Sequence, residues 1–314
     1  MYPLPSCSRF DHFDSNDELR GLLELAHHFK EVYAEKGPHL PKPLNGHSMS
    51  MIFQKRSTRT RVSTETGMAL LGGHALFLGP SDIQLGVNES MKDTALVLSR
   101  FNSIVLARVH GHKDVVELAE YSQVPIINAL SDLHHPLQTL ADLMALQQRF
   151  GTDLSGKTVA WVGDGNNVLH DLMLGSVKMG MNVHIATPNG FEPDAEILAI
   201  TKTLAEENGV SVMTTTVAEV AVKGADVVVT DTWVSMGQEE EYAQRMKEFD
   251  GYQVNSELMA KANDEAVFLH CLPRHPEEVS DEVFYSDASL VFPEAENRMW
   301  TVMAVMAAQL GRVE

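Results

Sequence analysis

The residues with the plainest chemical meaning form a short basic stretch in an acidic chain. Phe53-Gln54-Lys55-Arg56-Ser57-Thr58-Arg59-Thr60-Arg61 holds three arginines, one lysine and three hydroxyls, whereas the whole protein of 314 residues carries a formal charge of −19. The stretch ends a predicted strand and opens a predicted helix. Backbone N–H groups at a helix start, the positive end of the helix dipole, and guanidinium and hydroxyl donors together suit a phosphate without a metal. A capped helix with a solvated basic end is the other reading of the same residues. No G-x-x-x-x-G-K-[ST] loop is present, which disfavours a nucleoside triphosphatase. His135 and Gln138 lie three apart at the start of a later predicted helix, hence on one face. Pro136 at the first helical position fits a helix start, so His135 reads either as a cap or as a catalyst. Asp231 and Cys271 each follow directly on a predicted strand, the edge where open α/β sheets bind ligands. Asp231 can pair with a cationic amine, and Cys271 taken alone reads as a small buried hydrophobe.

The elements that must position these residues are short β-type runs alternating with helical patterns. Predicted strands cover 48–53, 74–78, 103–107 and 125–128, with helices at 17–30, 60–72, 90–101 and 114–121. A long helical pattern over 136–150 leads into the turn-like segment 151–156. Strands then resume at 158–162, 183–186, 210–214, 227–230 and 267–270, with helices at 168–180, 194–208 and 256–262. A last helix, rich in Met and Ala, is predicted over 298–310. Alternation of this kind predicts an α/β protein of two domains, each a central parallel sheet flanked by helices, joined by interdomain helices. The boundary falls at the turn: 1–150 for one domain, with helix 298–314 packing back on it, and 151–297 for the other.

Composition narrows the function classes. No apolar run approaches the roughly 20 residues needed to cross a bilayer, so a membrane protein is not expected. The acidic balance repels nucleic acid phosphates, and no basic stripe offsets it beyond the stretch at 55–61. Cys7 and Cys271 are the two cysteines, too few for a disulfide framework or a Cys-built zinc site. Residues 1–10 lack both a secretory signal and the Arg-rich character of a transit peptide, which fits a cytoplasmic protein or an already trimmed one, and the cytoplasm is the expectation. Gly163-Asp164-Gly165 follows a strand and precedes a helix, as in a dinucleotide fingerprint. However, Val168 stands where the third glycine belongs and Thr187-Pro188 where the acidic residue belongs, which counts against a nicotinamide-dependent dehydrogenase.

Ser57-Thr58-Arg59-Thr60-Arg61 resembles the carbamoyl phosphate motif of the aspartate and ornithine carbamoyltransferases. The resemblance recurs in the family's order at Arg108, at His135-Pro136-Leu137-Gln138, at Asp231-Thr232-Trp233-Val234-Ser235-Met236-Gly237 and at His270-Cys271-Leu272-Pro273. It implies that Ser57, Thr58, Arg59 and Thr60 bind the phosphate, with Arg108 reaching both phosphate and carbonyl oxygen. His135 would polarise that oxygen, Gln138 would bind the carbamoyl amine, and Arg298 would return to the same site. Cys271 and Leu272 would contact the carbamoyl oxygen through backbone. Asn167, Asp231, Ser235, Met236 and Cys271 would bind ornithine, the loop at 235–237 closing over it. Arg108, His135 and Cys271 are thereby the implied catalytic residues. The loop 81–86 resembles one that enters a neighbouring subunit's site, so Gln84 would act in trans within a homotrimer.

The resemblance implies transfer of a carbamoyl group from carbamoyl phosphate to the δ-amine of L-ornithine, with no metal or organic cofactor. This is a step of the arginine-biosynthesis or urea-cycle type. Ser-Met-Gly and His-Cys-Leu-Pro favour ornithine over aspartate, putrescine or N-acetylornithine as acceptor. A non-catalytic binding protein would have lost some Arg or His positions, and all are filled here.

Overall fold

Short runs of β-branched residues separated by amphipathic stretches build two parallel sheets in the computed structural model, which describes residues 15–82, 88–234 and 239–312. The first sheet contains β1 (Ser48–Phe53), β2 (His74–Leu78), β3 (Ile104–Arg108) and β4 (Ile126–Leu130) in the order β2-β1-β3-β4. The second contains β5 (Thr158–Val162), β6 (Asn182–Ala186), β7 (Val212–Thr215), β8 (Val227–Thr230) and β9 (Val267–His270) in the order β7-β6-β5-β8-β9. β3, β8 and β9 are buried along their whole length, as expected of strands in a parallel sheet covered on both faces. β2 and β7, at sheet edges, are partly exposed.

The helices are α1 (Asn16–Lys36), α2 (Thr58–Leu70), α3 (Met91–Leu98), α4 (His112–Tyr121), α5 (Pro136–Phe150) and α6 (Asn167–Lys178). They continue with α7 (Ala195–Asn208), α8 (Ala218–Val222), α9 (Tyr242–Glu248), α10 (Ser256–Met259), α11 (Asp281–Phe284) and α12 (Val291–Gln309). None of the described helices is long and apolar enough to cross a membrane.

The chain divides into two compact units, Met1–Met144 with Glu296–Glu314, and Ala145–Ala295. α5 and α12 are the helices along which the chain passes from one unit to the other. The first unit's core includes Ile52, Val105, Ala107, Val115, Leu118 and Ile126. The second is built around Val162, Val228, Trp233, Phe249, Phe268 and Phe284.

Two local differences from the sequence reading have plain causes. α12 begins at Val291, so Arg298 lies about two turns inside it, not at its start. Pro293 falls in the first turn, where its missing N–H has no intrahelical partner to lose. α8, α9 and α11 were not expected, because four to seven residues are too few to display a helical period.

Candidate active site

In the first sheet the order β2-β1-β3-β4 reverses its direction of growth between β1 and β3, and the carboxyl ends at such a reversal flank a crevice. β1 leads through Gln54-Lys55-Arg56 into α2. Ser57 is extended (φ −160°, ψ 123°) and its Oγ accepts from the Thr60 N–H at 3.2 Å, so it is the N-cap of α2. The first turn of α2 contains no acidic residue, leaving its positive dipole end unopposed by the helix itself. Arg108 ends β3, where pairing with β4 slips between Ala107 and Arg108. Its carbonyl accepts from the Gln54 N–H at 2.8 Å, which keeps β1 and β3 joined beyond the ladder.

Behind this edge a buried relay converges. Arg298 donates through Nη1 to Gln138 Oε1 at 2.7 Å and through Nη2 to Thr60 Oγ1 at 3.2 Å. Gln138 Nε2 donates to Asp142 Oδ1 at 2.8 Å. His135 is buried, and burial holds its imidazole well below the usual histidine range, with Arg298, Arg108 and Arg59 pushing the same way. A neutral imidazole offers one N–H donor and one acceptor, which suits polarising a carbonyl oxygen. Burial, then Arg108, also lowers Lys55. Arg61 stands apart: it lies over the Phe77 ring at 3.7 Å and pairs with Glu65 at 3.1 Å, while Arg56 and Thr58 are exposed.

In the second sheet the reversal lies between β5 and β8. Asn166 caps α6, its Oδ1 accepting from the Val168 and Leu169 N–H groups at 3.0 and 3.2 Å. Its Nδ2 donates across the reversal to Asp231 Oδ2 at 2.8 Å, and Cys271 Sγ donates to Asp231 Oδ1 at 3.0 Å. The loops after β5, β8 and β9 therefore meet on one buried carboxylate, a fitting partner for an ammonium group. Arg245 holds the chain on either side of this cluster, donating to Asp164 Oδ2 and to the Trp233 carbonyl at 2.9 Å each. Burial raises the Asp164 carboxyl and Arg245 opposes that rise.

The turn carrying Cys271 is fixed from below. Leu272 has φ 60°, a conformation that costs a non-glycine residue energy, and its N–H donates to His270 Nδ1 at 2.9 Å. With Nδ1 accepting, His270 carries its proton on Nε2, 3.2 Å from Glu278 Oε1. Asp231, His270 and Cys271 present ligand atoms within 4.8 Å of one another, the donor set of a cation site. Both His270 nitrogens are already engaged, so a cation there would have to displace one of these bonds. No dinucleotide cradle forms at the Gly163 turn: Gly165 N–H donates to the Phe191 carbonyl, and a Cβ on Gly165 would meet backbone of Glu192 and Pro193 at 2.3 Å.

The structure thus gathers Thr60, Gln138 and Arg298 in one hydrogen-bonded chain, with His135 among the charges of Arg59, Arg108 and Arg298, and it joins Asp231 to Cys271. Asn167 is the first residue of α6. Gln84, Ser235 and Met236 lie outside the described residues. Sequence reasoning missed Asn166, Asp142 and Arg245, and it quoted His270 within a motif without giving it a role. The polar residue just before α6 marks Asn166 as its cap, and the spacing of four from Gln138 places Asp142 on the same helix face. Nothing local marks Arg245.

Two parallel sheets, one with a helix start and arginines at its carboxyl edge and one with a buried carboxylate at its own carboxyl edge, define a two-unit α/β protein. Comparison with known proteins agrees. Residues 10–148 match the family model described as the aspartate/ornithine carbamoyltransferase carbamoyl-P binding domain, and residues 155–309 match that for the Asp/Orn binding domain. The chain belongs to the aspartate/ornithine carbamoyltransferase family. It is 54% identical over 294 residues to the mitochondrial ornithine transcarbamylase of Gallus gallus, covering 94% of this chain and 82% of that one. To the mitochondrial ornithine carbamoyltransferase of Schizosaccharomyces pombe it is 50% identical, covering 94% and 91%. Among solved structures it resembles ornithine carbamoyltransferase from Pyrococcus furiosus, with TM-score 0.94, 44% identity and 98% of each chain covered.

These names correct the expected compartment. The opening residues predicted a cytoplasmic protein, yet relatives sharing half of the sequence are named mitochondrial, which overturns that expectation. The physical reason is that targeting is read from a segment separate from the fold, so neither composition nor the folded core records it.

Proposed function

We propose that this protein transfers the carbamoyl group of carbamoyl phosphate to the δ-amino group of L-ornithine, giving L-citrulline and phosphate. The observation that carries the reading is the buried carboxylate of Asp231, held by Asn166 and Cys271, in a chain about half identical to ornithine enzymes. Arg59, Arg108 and the start of α2 neutralise the phosphate, Ser57, Thr58 and Thr60 bind it through hydrogen bonds, and Arg298 and Gln138 fix the carbamoyl end. The neutral δ-amine attacks the carbonyl carbon, and Arg108 and neutral His135 stabilise the negative charge developing on the oxygen. The bond from carbon to the phosphate oxygen then breaks, and the phosphate leaves with a proton taken from the amine. Asp231, Cys271 and Asn167 hold the amino acid, with Ser235 and Met236 closing over it. The working unit is a homotrimer in which Gln84 serves a neighbouring subunit.

Citrulline formation with L-ornithine, L-aspartate, putrescine or N-acetylornithine offered in turn tests the reading. Turnover with ornithine alone is expected. Because the amine must shed a proton of intrinsic pKa near 10, the rate should climb on the alkaline side of neutrality. Turnover with another acceptor in place of ornithine would overturn the second-unit assignments.

A further inference from the structure

We infer that Asp142 is a positioning residue that decides which way round the Gln138 amide lies, and thereby selects an acyl phosphate bearing N–H on its acyl carbon. The inference rests on the proposed carbamoyl phosphate reading. The two ends of a glutamine side chain are nearly the same shape but opposite in chemistry, one a double acceptor and the other a double donor. Which end faces the reacting group determines whether a substrate N–H is welcomed or repelled.

Two buried neighbours settle the direction. Asp142 is a carboxylate that accepts from Gln138 Nε2 at 2.8 Å, and Arg298 is a guanidinium that can only donate, reaching Gln138 Oε1 at 2.7 Å. Turning the amide over would set N–H against N–H on one side and oxygen against carboxylate on the other. Gln138, Asp142 and Arg298 are 1%, 2% and 3% exposed, so water does not soften either clash. The oxygen, with two lone pairs, is therefore held on the side of Arg298, the arrangement a carbamoyl NH₂ requires. Asp142 lies one helical turn below Gln138 on α5 and acts through it. Acetyl phosphate, with a methyl group where carbamoyl phosphate has NH₂, gains nothing from this direction.

The test compares binding of carbamoyl phosphate and of acetyl phosphate, the latter as a competitive inhibitor, in the full-length enzyme and its Asp142→Asn variant. The asparagine amide presents either a donor or an acceptor, so Arg298 alone is left to enforce the direction. We expect carbamoyl phosphate to weaken about tenfold while acetyl phosphate and the KM for ornithine stay unchanged. Equal weakening of both acyl phosphates, or of neither, overturns the role. A charge swap gives a second reading. Gln138→Glu places two carboxylates in contact and should lower kcat/KM for carbamoyl phosphate about a hundredfold or more. Adding Asp142→Asn restores an acceptor at the first position and a donor at the second with the original net charge, and should recover most of that loss. A double variant no better than Gln138→Glu alone overturns the inference. Thermal unfolding of each variant separates these effects from misfolding. If the unaltered enzyme does not turn over carbamoyl phosphate, the functional reading falls as well; if it does, the role of Asp142 stands or falls alone.

Discussion

His135 and Asn166 show how much chemistry depends on what surrounds a single side chain. Burial, Arg298, Arg108 and Arg59 all hold His135 neutral in the fold. The unfolded chain takes up a proton on this residue near the ordinary histidine value of 6.5, whereas the folded chain does not. The unfolded state thus binds more protons below about pH 6.5, and His135 makes stability fall as pH drops from there toward its depressed folded value. His135→Asn should therefore lose less Tm than the unaltered protein between about pH 7.5 and pH 5.5. Equal losses in calorimetry would show that His135 is not held neutral. Asn166 does two jobs, capping α6 and holding Asp231, and serine can do only the first. Asn166→Ser should keep Tm within about 2 °C yet raise the KM for ornithine about tenfold. An unchanged KM would remove Asn166 from the acceptor site.

At the scale of elements, the turn between β5 and α6 is set by a close backbone approach. A Cβ at Gly165 would stand 2.3 Å from backbone atoms of Glu192 and Pro193, which no rotamer change relieves, so the turn must shift and carry Asn166 with it. Gly151 has open space but φ +96°, where a side chain brings only local strain. Alanine at either position should lower Tm by about 5 °C or more, but Gly165→Ala alone should raise the KM for ornithine several-fold. Steady-state kinetics on the two variants check this, and matched KM values would detach the turn from the acceptor site. Most elements were legible locally: β1, β2, β5, β8, β9 and α5 fall where the pattern predicts them, and the buried strands β5, β8 and β9 stand out as nearly continuous apolar runs. The start of α12 was not, because its first turn lacks a helical pattern and contains a proline.

For the whole molecule, the proposed trimer and the contribution of Gln84 in trans make a joint prediction. Sedimentation should give about three times the chain mass of 34.7 kDa. Mixed trimers reassembled from separately inactive Gln84→Ala and Arg108→Gln chains should regain activity, since some sites receive both intact residues. A monomer, or mixtures as inactive as their parents, would refute site sharing. The amino-acid order by itself determined the alternation of strands and helices, the acidic balance and the helix start at 57–60, because periodicity, charge and helix starts are local. Only the tertiary structure decided that Arg298 reaches Gln138 and Thr60, 160 and 238 residues away, and that Asn166 and Cys271 meet on Asp231. It alone made His135 neutral, for burial and neighbouring charge arise when strand order brings distant loops to one edge, and no window of sequence contains that order.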